Sequence, residues 1–221
     1  MKFQKAIVTS GPTREWLDPV RYISNASSGK MGFNIANELI KLIPNLVYIR
    51  GGVLERYSEV KGARNKEVDT TIDLRNSILE ELDEDTIVVM AAAPADFRPI
   101  MTAKNKIKKS KSEGLLIEFE QNPDVLASLN NIIKENNWNN TILVGFAAET
   151  EKLEENALGK LQRKGLTYIV GNYVGNGSGF GEVNTGIRIY SSKGMELEIQ
   201  NESKESISGK IVNFLKEKLE F

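Results

Sequence analysis

The sequence predicts an α/β protein with a Rossmann-like, mostly parallel sheet and helices on both faces. Three observations carry that prediction. Short, nearly unbroken apolar runs recur at Ala6-Ile7-Val8, Leu46 to Ile49, Thr86-Ile-Val-Val-Met90, Thr141-Ile-Leu-Val-Gly-Phe146 and Leu166 to Val170, as strands buried on both faces do. Stretches of helical period lie between them. The alternation is regular, and strands separated by helices pair in parallel through crossovers. At 221 residues, one domain over 1–221 is the expected organisation.

Ala6-Ile7-Val8 is the first strand and Phe33 to Leu42 the first helix. Between them, Ser10 to Gly32 reads as one long strand-to-helix loop. Leu46 to Ile49 is the second strand, closed by the turn signal Gly51-Gly52. Ile72, Leu74, Ile78, Leu79 and Leu82 give Thr71 to Leu82 a helical stripe. The strand Thr86 to Met90 runs into Ala91-Ala-Ala-Pro94-Ala95-Asp96-Phe97, where small residues let a ligand approach the backbone and Pro94 prevents continuation as a central strand. Met101 to Gly114 is rich in lysine and has no apolar face, which predicts a mobile surface arm over about residues 100–115. Leu115 to Phe119 alternates as a strand does, and Asn122-Pro123-Asp124 opens a helix with proline in its first turn. After the strand Thr141 to Phe146, Glu151 to Lys164 runs from acidic to basic, matching a helix macrodipole. Gly186 to Tyr190 and Met195 to Ile199 flank Ser191-Ser-Lys-Gly194 as a C-terminal hairpin. The stripe Ile207, Ile211, Phe214, Leu215 and Leu219 makes Lys204 to Leu219 a final helix packed on the core.

The chain has no cysteine and no histidine. That excludes Ser-His and Cys-His nucleophiles, thiol redox chemistry and zinc held by sulfur or imidazole. Lysine, arginine, carboxylates, asparagine, hydroxyls and backbone remain, a set suited to placing phosphates and neutralising developing charge. A net charge of -1 offers no global attraction for nucleic acid. No run approaches the roughly 18 apolar residues of a membrane span, and Met1-Lys2 is unlike a secretory leader. A cytoplasmic protein without membrane or nucleic-acid partners is expected.

The long loop concentrates chemistry: Arg14, Arg21, Asn25, Ser27, Ser28, Gly29 and Lys30 precede a helix N-terminus at the end of a strand. Asn25 capping the helix is the purely structural alternative, yet connections of this length usually bind something. Gly29-Lys30 is no P-loop, because Met31 replaces the hydroxyl residue and Ser24 the leading glycine. Gly175, Gly177, Gly179 and Gly181 do not form a dinucleotide fingerprint. Lys104, Lys106, Lys108, Lys109 and Lys111 read equally as a solvated charge run or, if extended, as a row in which Lys104, Lys106 and Lys108 share one side and meet a triphosphate. Asp96, just past a buried strand, needs a cap, an ion pair, a ribose hydroxyl or a metal ion.

Three ordered blocks, Gly11-Pro-Thr-Arg-Glu through Ile23-Ser-Asn25-Ala-Ser-Ser-Gly-Lys-Met-Gly32, Ala91-Ala-Ala-Pro-Ala-Asp96-Phe97-Arg98-Pro99 and Lys106-Ile-Lys-Lys109, resemble the phosphopantothenate–cysteine ligase family of coenzyme A biosynthesis. Asn122-Pro-Asp124 and Val144-Gly-Phe-Ala-Ala-Glu-Thr150 extend the likeness over nearly the whole chain. The resemblance implies that a carboxylate of 4′-phosphopantothenate attacks the α-phosphorus of CTP or ATP, and that the amine of L-cysteine then displaces the nucleotide from the acyl-nucleotidylate. It implies that Asn25 holds the acyl oxygen, Lys106 stabilises the α-phosphoryl charge and Arg21 orients the carboxylate substrate beside Ala92 and Ala93. On the nucleotide side it implies Gly11, Ser27, Ser28, Gly29 and Lys30 from the loop, and Ala95, Asp96 and Phe97 from the second block. Lys104, Phe146, Lys160 and Lys164 complete that side, and Asp96 is also the candidate ligand of Mg²⁺.

The family further implies a homodimer, with each lysine arm closing over a site near the interface. Many bacterial relatives are fused to a flavin-dependent decarboxylase that uses histidine and cysteine, so this chain resembles a stand-alone ligase. Bacterial members usually take CTP and animal members ATP. Departures at Pro94, Ala95 and Phe180 to Asn184 leave the choice of nucleotide open. Two other classes compete: a flavin or nicotinamide oxidoreductase, against which the missing fingerprint speaks, and a nucleotide-binding module without catalysis.

Overall fold

In the computed structural model, which describes residues 3–108, 114–174 and 184–221, eight strands form one sheet. Six are parallel: β1 (Lys5–Ser10), β4 (Leu46–Arg50), β5 (Arg64–Glu67), β6 (Thr86–Met90), β9 (Ile142–Glu149) and β10 (Tyr168–Tyr173). The antiparallel pair β11 (Thr185–Ser191) and β12 (Gly194–Glu202) is the expected hairpin, and β11 pairs with β10. The order β12-β11-β10-β9-β6-β1-β4-β5 is the doubly wound arrangement with β1 at its centre. The chain steps from β1 to β4 and β5, then returns to β6 on the other side of β1. The switch point therefore lies between β1 and β6.

The pleat divides each central strand between two cores. Ala6 and Val8 face a layer with Ile35 and Leu39 of α1 (Lys30–Leu39) and Ile207, Ile211 and Leu215 of α5 (Lys204–Leu219). Ile7 faces the opposite layer, with Leu74 of α2 (Thr71–Leu79), Leu129 of α3 (Val125–Glu135) and Leu161 of α4 (Leu153–Lys164). Helices on both faces are thus as expected. Thr70 and Asp73 cap α2 reciprocally, and α4 carries Glu154 and Glu155 in its first turn and Arg163 and Lys164 in its last. Among the described residues no helix is long and apolar enough to cross a membrane.

Several expectations need correction. The loop from Ser10 to Gly32 contains a hairpin, β2 (Arg14–Asp18) paired with β3 (Arg21–Ser24). The following helix starts at Lys30, capped by Gly29 in the left-handed region with no side-chain cap, so Asn25 caps nothing there. Leu115 to Phe119 is not the strand; β8 (Phe119–Gln121) pairs instead with β7 (Phe97–Pro99). Asp124 is the cap of α3, accepting from Ala127 N at 3.1 Å, which leaves Pro123 before the cap rather than in the first turn. The arm is docked at its start: Ala103 N donates to Leu17 O at 2.9 Å and Thr102 Oγ1 to Trp16 O at 2.9 Å. The backbone bends at Lys104 and Asn105, so Lys104, Lys106 and Lys108 do not form an extended row. Lys109, Lys111, Gly175, Gly177, Gly179, Gly181 and Phe180 to Val183 lie outside the described residues.

Candidate functional site

The carboxyl ends of β6, β9 and β10, together with Asn25 and Ser27 of the loop that follows β1, open onto a cavity of about 720 Å³, a size typical of small-molecule sites. The segment after β6 forms its floor and is pinned by hydrogen bonds to the end of β1 and to the first loop. Ala92 N donates to Thr9 Oγ1 at 3.1 Å, Ala93 N to Gly11 O at 2.9 Å and Ala95 N to Thr13 Oγ1 at 2.9 Å. From the other side Asn122 Nδ2 donates to Ala95 O at 2.9 Å and Asn122 N to Asp96 O at 2.8 Å. Five small residues in a row, Ala91 to Ala95, keep this backbone uncovered toward the cavity.

Asn25 reaches the same floor from the end of β3. Its Nδ2 donates to Ala93 O at 3.1 Å and to Pro94 O at 2.9 Å. Both partners are carbonyls, so the orientation of the amide is unambiguous and Oδ1 is left as an acceptor. Asn25, Ser27, Ala92, Ala93, Ala95 and Asp96 line the cavity together, as do Phe97, Phe146, Lys160 and Lys164. The lysines there are held by carboxylates: Lys160 Nζ lies 2.7 Å from Glu149 Oε1, and Lys164 Nζ 3.1 Å from Asp124 Oδ2. Asp96 is exposed, so burial imposes no need for a partner, contrary to the expectation from its place after a buried strand.

Gly11, Ser28, Gly29 and Lys30 do not line the cavity. Gly11 and Gly29 both have positive φ, 75° and 84°, which other residues rarely adopt. Ser10 Oγ donates to Gly29 O at 2.6 Å, tying the two ends of the loop. Gly32 completes the packing: a Cβ there would stand 2.6 Å from Thr9 O, so only glycine lets α1 approach β1 this closely. Lys30 Nζ pairs with Glu205 Oε1 at 2.8 Å and holds that carboxyl below its ordinary range.

Arg21, Lys104 and Lys106 stand elsewhere. Lys104 lines a second cavity of about 490 Å³ together with Trp16, Asp18 and Arg98. Arg21 Nη1 donates to Asp18 Oδ2 at 2.9 Å and to Ile107 O at 3.1 Å. Lys106 is exposed and lines neither cavity. Sequence reasoning missed Thr13, Thr71, Asn122 and Glu149, all of which hold the site. It also missed Asp18, although Asp18-Pro19 is a turn signal.

An open α/β sheet with a ligand-sized cleft at its switch point places this chain in the class of doubly wound ligand-binding proteins. The chain belongs to the family described as DNA/pantothenate metabolism flavoprotein C-terminal domain, whose model matches residues 1–219. That is the family to which the three sequence blocks point. It is 34% identical over 218 residues to the coenzyme A biosynthesis bifunctional protein CoaBC of Vibrio cholerae, covering 98% of this chain and 53% of that protein. With CoaBC of Bacillus subtilis it shares 38% over 208 residues, 93% of this chain and 49% of the relative. The chain thus spans about half the length of the curated relatives it matches. Among solved structures, the C-terminal domain of a CoaBC protein superposes with a TM-score of 0.78 at 27% identity, covering 99% of this chain and 98% of the other. The Cab2 mutant H337A in complex with phosphopantothenate-cysteine, at 16% identity and a TM-score of 0.72 over 98% and 87% of the two chains, shares the fold.

Proposed function

We propose that this chain is a phosphopantothenate–cysteine ligase, joining 4′-phosphopantothenate to L-cysteine with CTP or ATP through an acyl-nucleotidylate. The observation that carries the reading is the convergence of Asn25 and Ala92 to Asp96, from two separate motif blocks, on one cleft at the switch point. Membership of a family whose relatives are coenzyme A biosynthesis proteins supports it. CTP is favoured over ATP, since the similar relatives are bacterial.

In the first step a carboxylate oxygen bonds to the α-phosphorus and pyrophosphate leaves. In the second the cysteine nitrogen bonds to the acyl carbon, the nucleoside monophosphate leaves and the nitrogen gives up a proton. Asn25 exchanges one of its carbonyl partners for the acyl oxygen, a donor that adds no charge of its own. Lys160 and Lys164 leave Glu149 and Asp124 for phosphate oxygens, and Phe146 and Phe97 flank the nucleotide. Arg21 uses Nη1 for Asp18 and Ile107, which leaves Nε and Nη2 for an anionic substrate group. In the homodimer that the resemblance implies, Lys106, which lines neither cavity of its own chain, supplies positive charge at the α-phosphoryl group of a site near the interface.

Magnesium fits this site only as a companion of the triphosphate. Among the described residues there is no group of three or more carboxylate, histidine or cysteine side chains that could hold a metal ion. Mg²⁺ characteristically takes one or two carboxylates plus substrate phosphates, and Asp96 would be that carboxylate. The ion would neutralise phosphate charge when bound. The family resemblance also supports a homodimer, which sedimentation would test.

The deciding experiment is side-by-side turnover with CTP and ATP, each with phosphopantothenate and cysteine, read as pyrophosphate release. Release should require phosphopantothenate and be faster with CTP. Absence of release with both nucleotides would overturn the ligase reading.

A further inference from the structure

Asp18 ends β2 fully buried, and a buried carboxylate must be met by donors. Two donors are local: Val20 N at 2.9 Å and Arg21 Nη1 at 2.9 Å. They would suffice to close the turn between β2 and β3. The third comes from the arm, where Ile107 N donates to Asp18 Oδ2 at 3.0 Å. Arg21 Nη1 completes the grip by donating to Ile107 O at 3.1 Å. Both backbone polar groups of one arm residue are therefore taken by a single ion pair, in the manner of a neighbouring strand. Burial alone would raise the Asp18 pKa, but the N–H groups of Val20 and Ile107 and the Arg21 guanidinium outweigh it and hold the carboxyl below its usual range. The group that grips the arm is therefore a carboxylate at neutral pH.

The amide of Ile107 belongs to the peptide unit that also contains the Cα of Lys106, and that unit is planar. Fixing the N–H and the following carbonyl of Ile107 therefore fixes the origin of the Lys106 side chain. Ile107 is half-buried, while Lys106 and Lys108 on either side are exposed. We propose that Asp18, acting with Arg21 on the backbone of Ile107, is a positioning residue for Lys106. This inference rests on the proposed function for the role of Lys106.

The test is a double-mutant cycle on the full chain, with amide exchange as an independent readout. Asp18→Asn keeps shape and one accepting oxygen but turns the other into a donor facing donors. It should speed exchange of the arm amide of Ile107 by about tenfold or more while β1 and β6 stay protected. It should slow single-turnover acyl-nucleotidylate formation by about tenfold or more. Combined with Lys106→Gln it should be no slower than Lys106→Gln alone. A wild-type rate for Lys106→Gln would sink the role of Lys106 and this inference with it. An impaired Lys106→Gln, slowed further by the full factor in the double variant, would overturn this inference alone, as would unchanged exchange at Ile107.

Discussion

The hydroxyls of Thr13 and Thr71 lie 2.9 Å apart, and Ala95 determines which of them donates. Ala95 N can only donate, and does so to Thr13 Oγ1 at 2.9 Å; Ala95 O can only accept, and does so from Thr71 Oγ1 at 3.2 Å. Thr13 must therefore donate to Thr71, closing a ring of three one-way hydrogen bonds. Thr71 N in turn donates to the buried Glu15 at 2.9 Å, so the start of α2 is tied to the same ring. Thr13→Val preserves the shape but leaves the buried Ala95 N–H without an acceptor. We expect a loss of about 1–3 kcal/mol, read from urea midpoints. An unchanged midpoint would show that the ring contributes nothing.

Gly32→Ala sets two effects against each other. Helix propensity favours alanine by about 1 kcal/mol. The new Cβ would stand 2.6 Å from Thr9 O and 2.7 Å from Ser10 Cβ, both in the central strand. Overpacking against backbone that cannot yield costs about 1–3 kcal/mol, so a net destabilisation is expected. Thermal unfolding of the variant, falling below wild type, is the check.

Asn25→Asp puts a carboxylate against Ala93 O and Pro94 O, where Nδ2 now donates at 3.1 and 2.9 Å. Repulsion replaces two hydrogen bonds and the donor for the acyl oxygen is lost. Removing one such donor raises a barrier by about 3 kcal/mol. Amide formation should slow far more than nucleotide binding weakens, as quenched single-turnover and equilibrium titration would separate. A variant turning over at wild-type rate would dismiss Asn25 from the chemistry.

Tyr48 is buried and its hydroxyl donates to Tyr57 O at 2.8 Å. Burial pushes its pKa from 10.0 up to about 12. Between these values the unfolded chain loses the phenolic proton while the folded one keeps it, so stability falls as pH rises. The contribution is fully present below the unfolded value and disappears at about 1.4 kcal/mol per pH unit above it. Tyr48→Phe should flatten the alkaline limb of a stability–pH curve by that slope. An identical limb in the variant would refute the assignment.

The sheet was legible where burial writes itself into sequence. β1, β4, β6, β9 and β10 are apolar runs because both their faces are covered. β5 reads Arg-Asn-Lys-Glu, and only its pairing with β4 makes it a strand. The hairpin β2–β3 was hidden for a similar reason, since its faces are half-polar and its turn is made by Asp18 rather than by an Asn-Gly pair. Asn25 and Ala92 to Asp96 were legible as a site because their residue types are unusual at strand ends. The Thr13–Thr71 contact joins positions 58 residues apart with no periodic signature. Docking of the arm uses the backbone N–H and C=O of Ile107, which every residue but proline possesses, so no residue type announces it.

Among the described residues the sheet ends in β5 and β12, and both carry charge along their length. Arg64 is paired with Glu81, Lys66 with Glu80 at 2.8 Å, Glu198 with Arg188 at 2.7 Å and Glu196 with Lys218 at 2.8 Å. Unpaired strand margins invite foreign strands to add on. An incoming chain would have to break these pairs and strip water from the freed ions, so the molecule carries its own barrier to fibril growth at both ends.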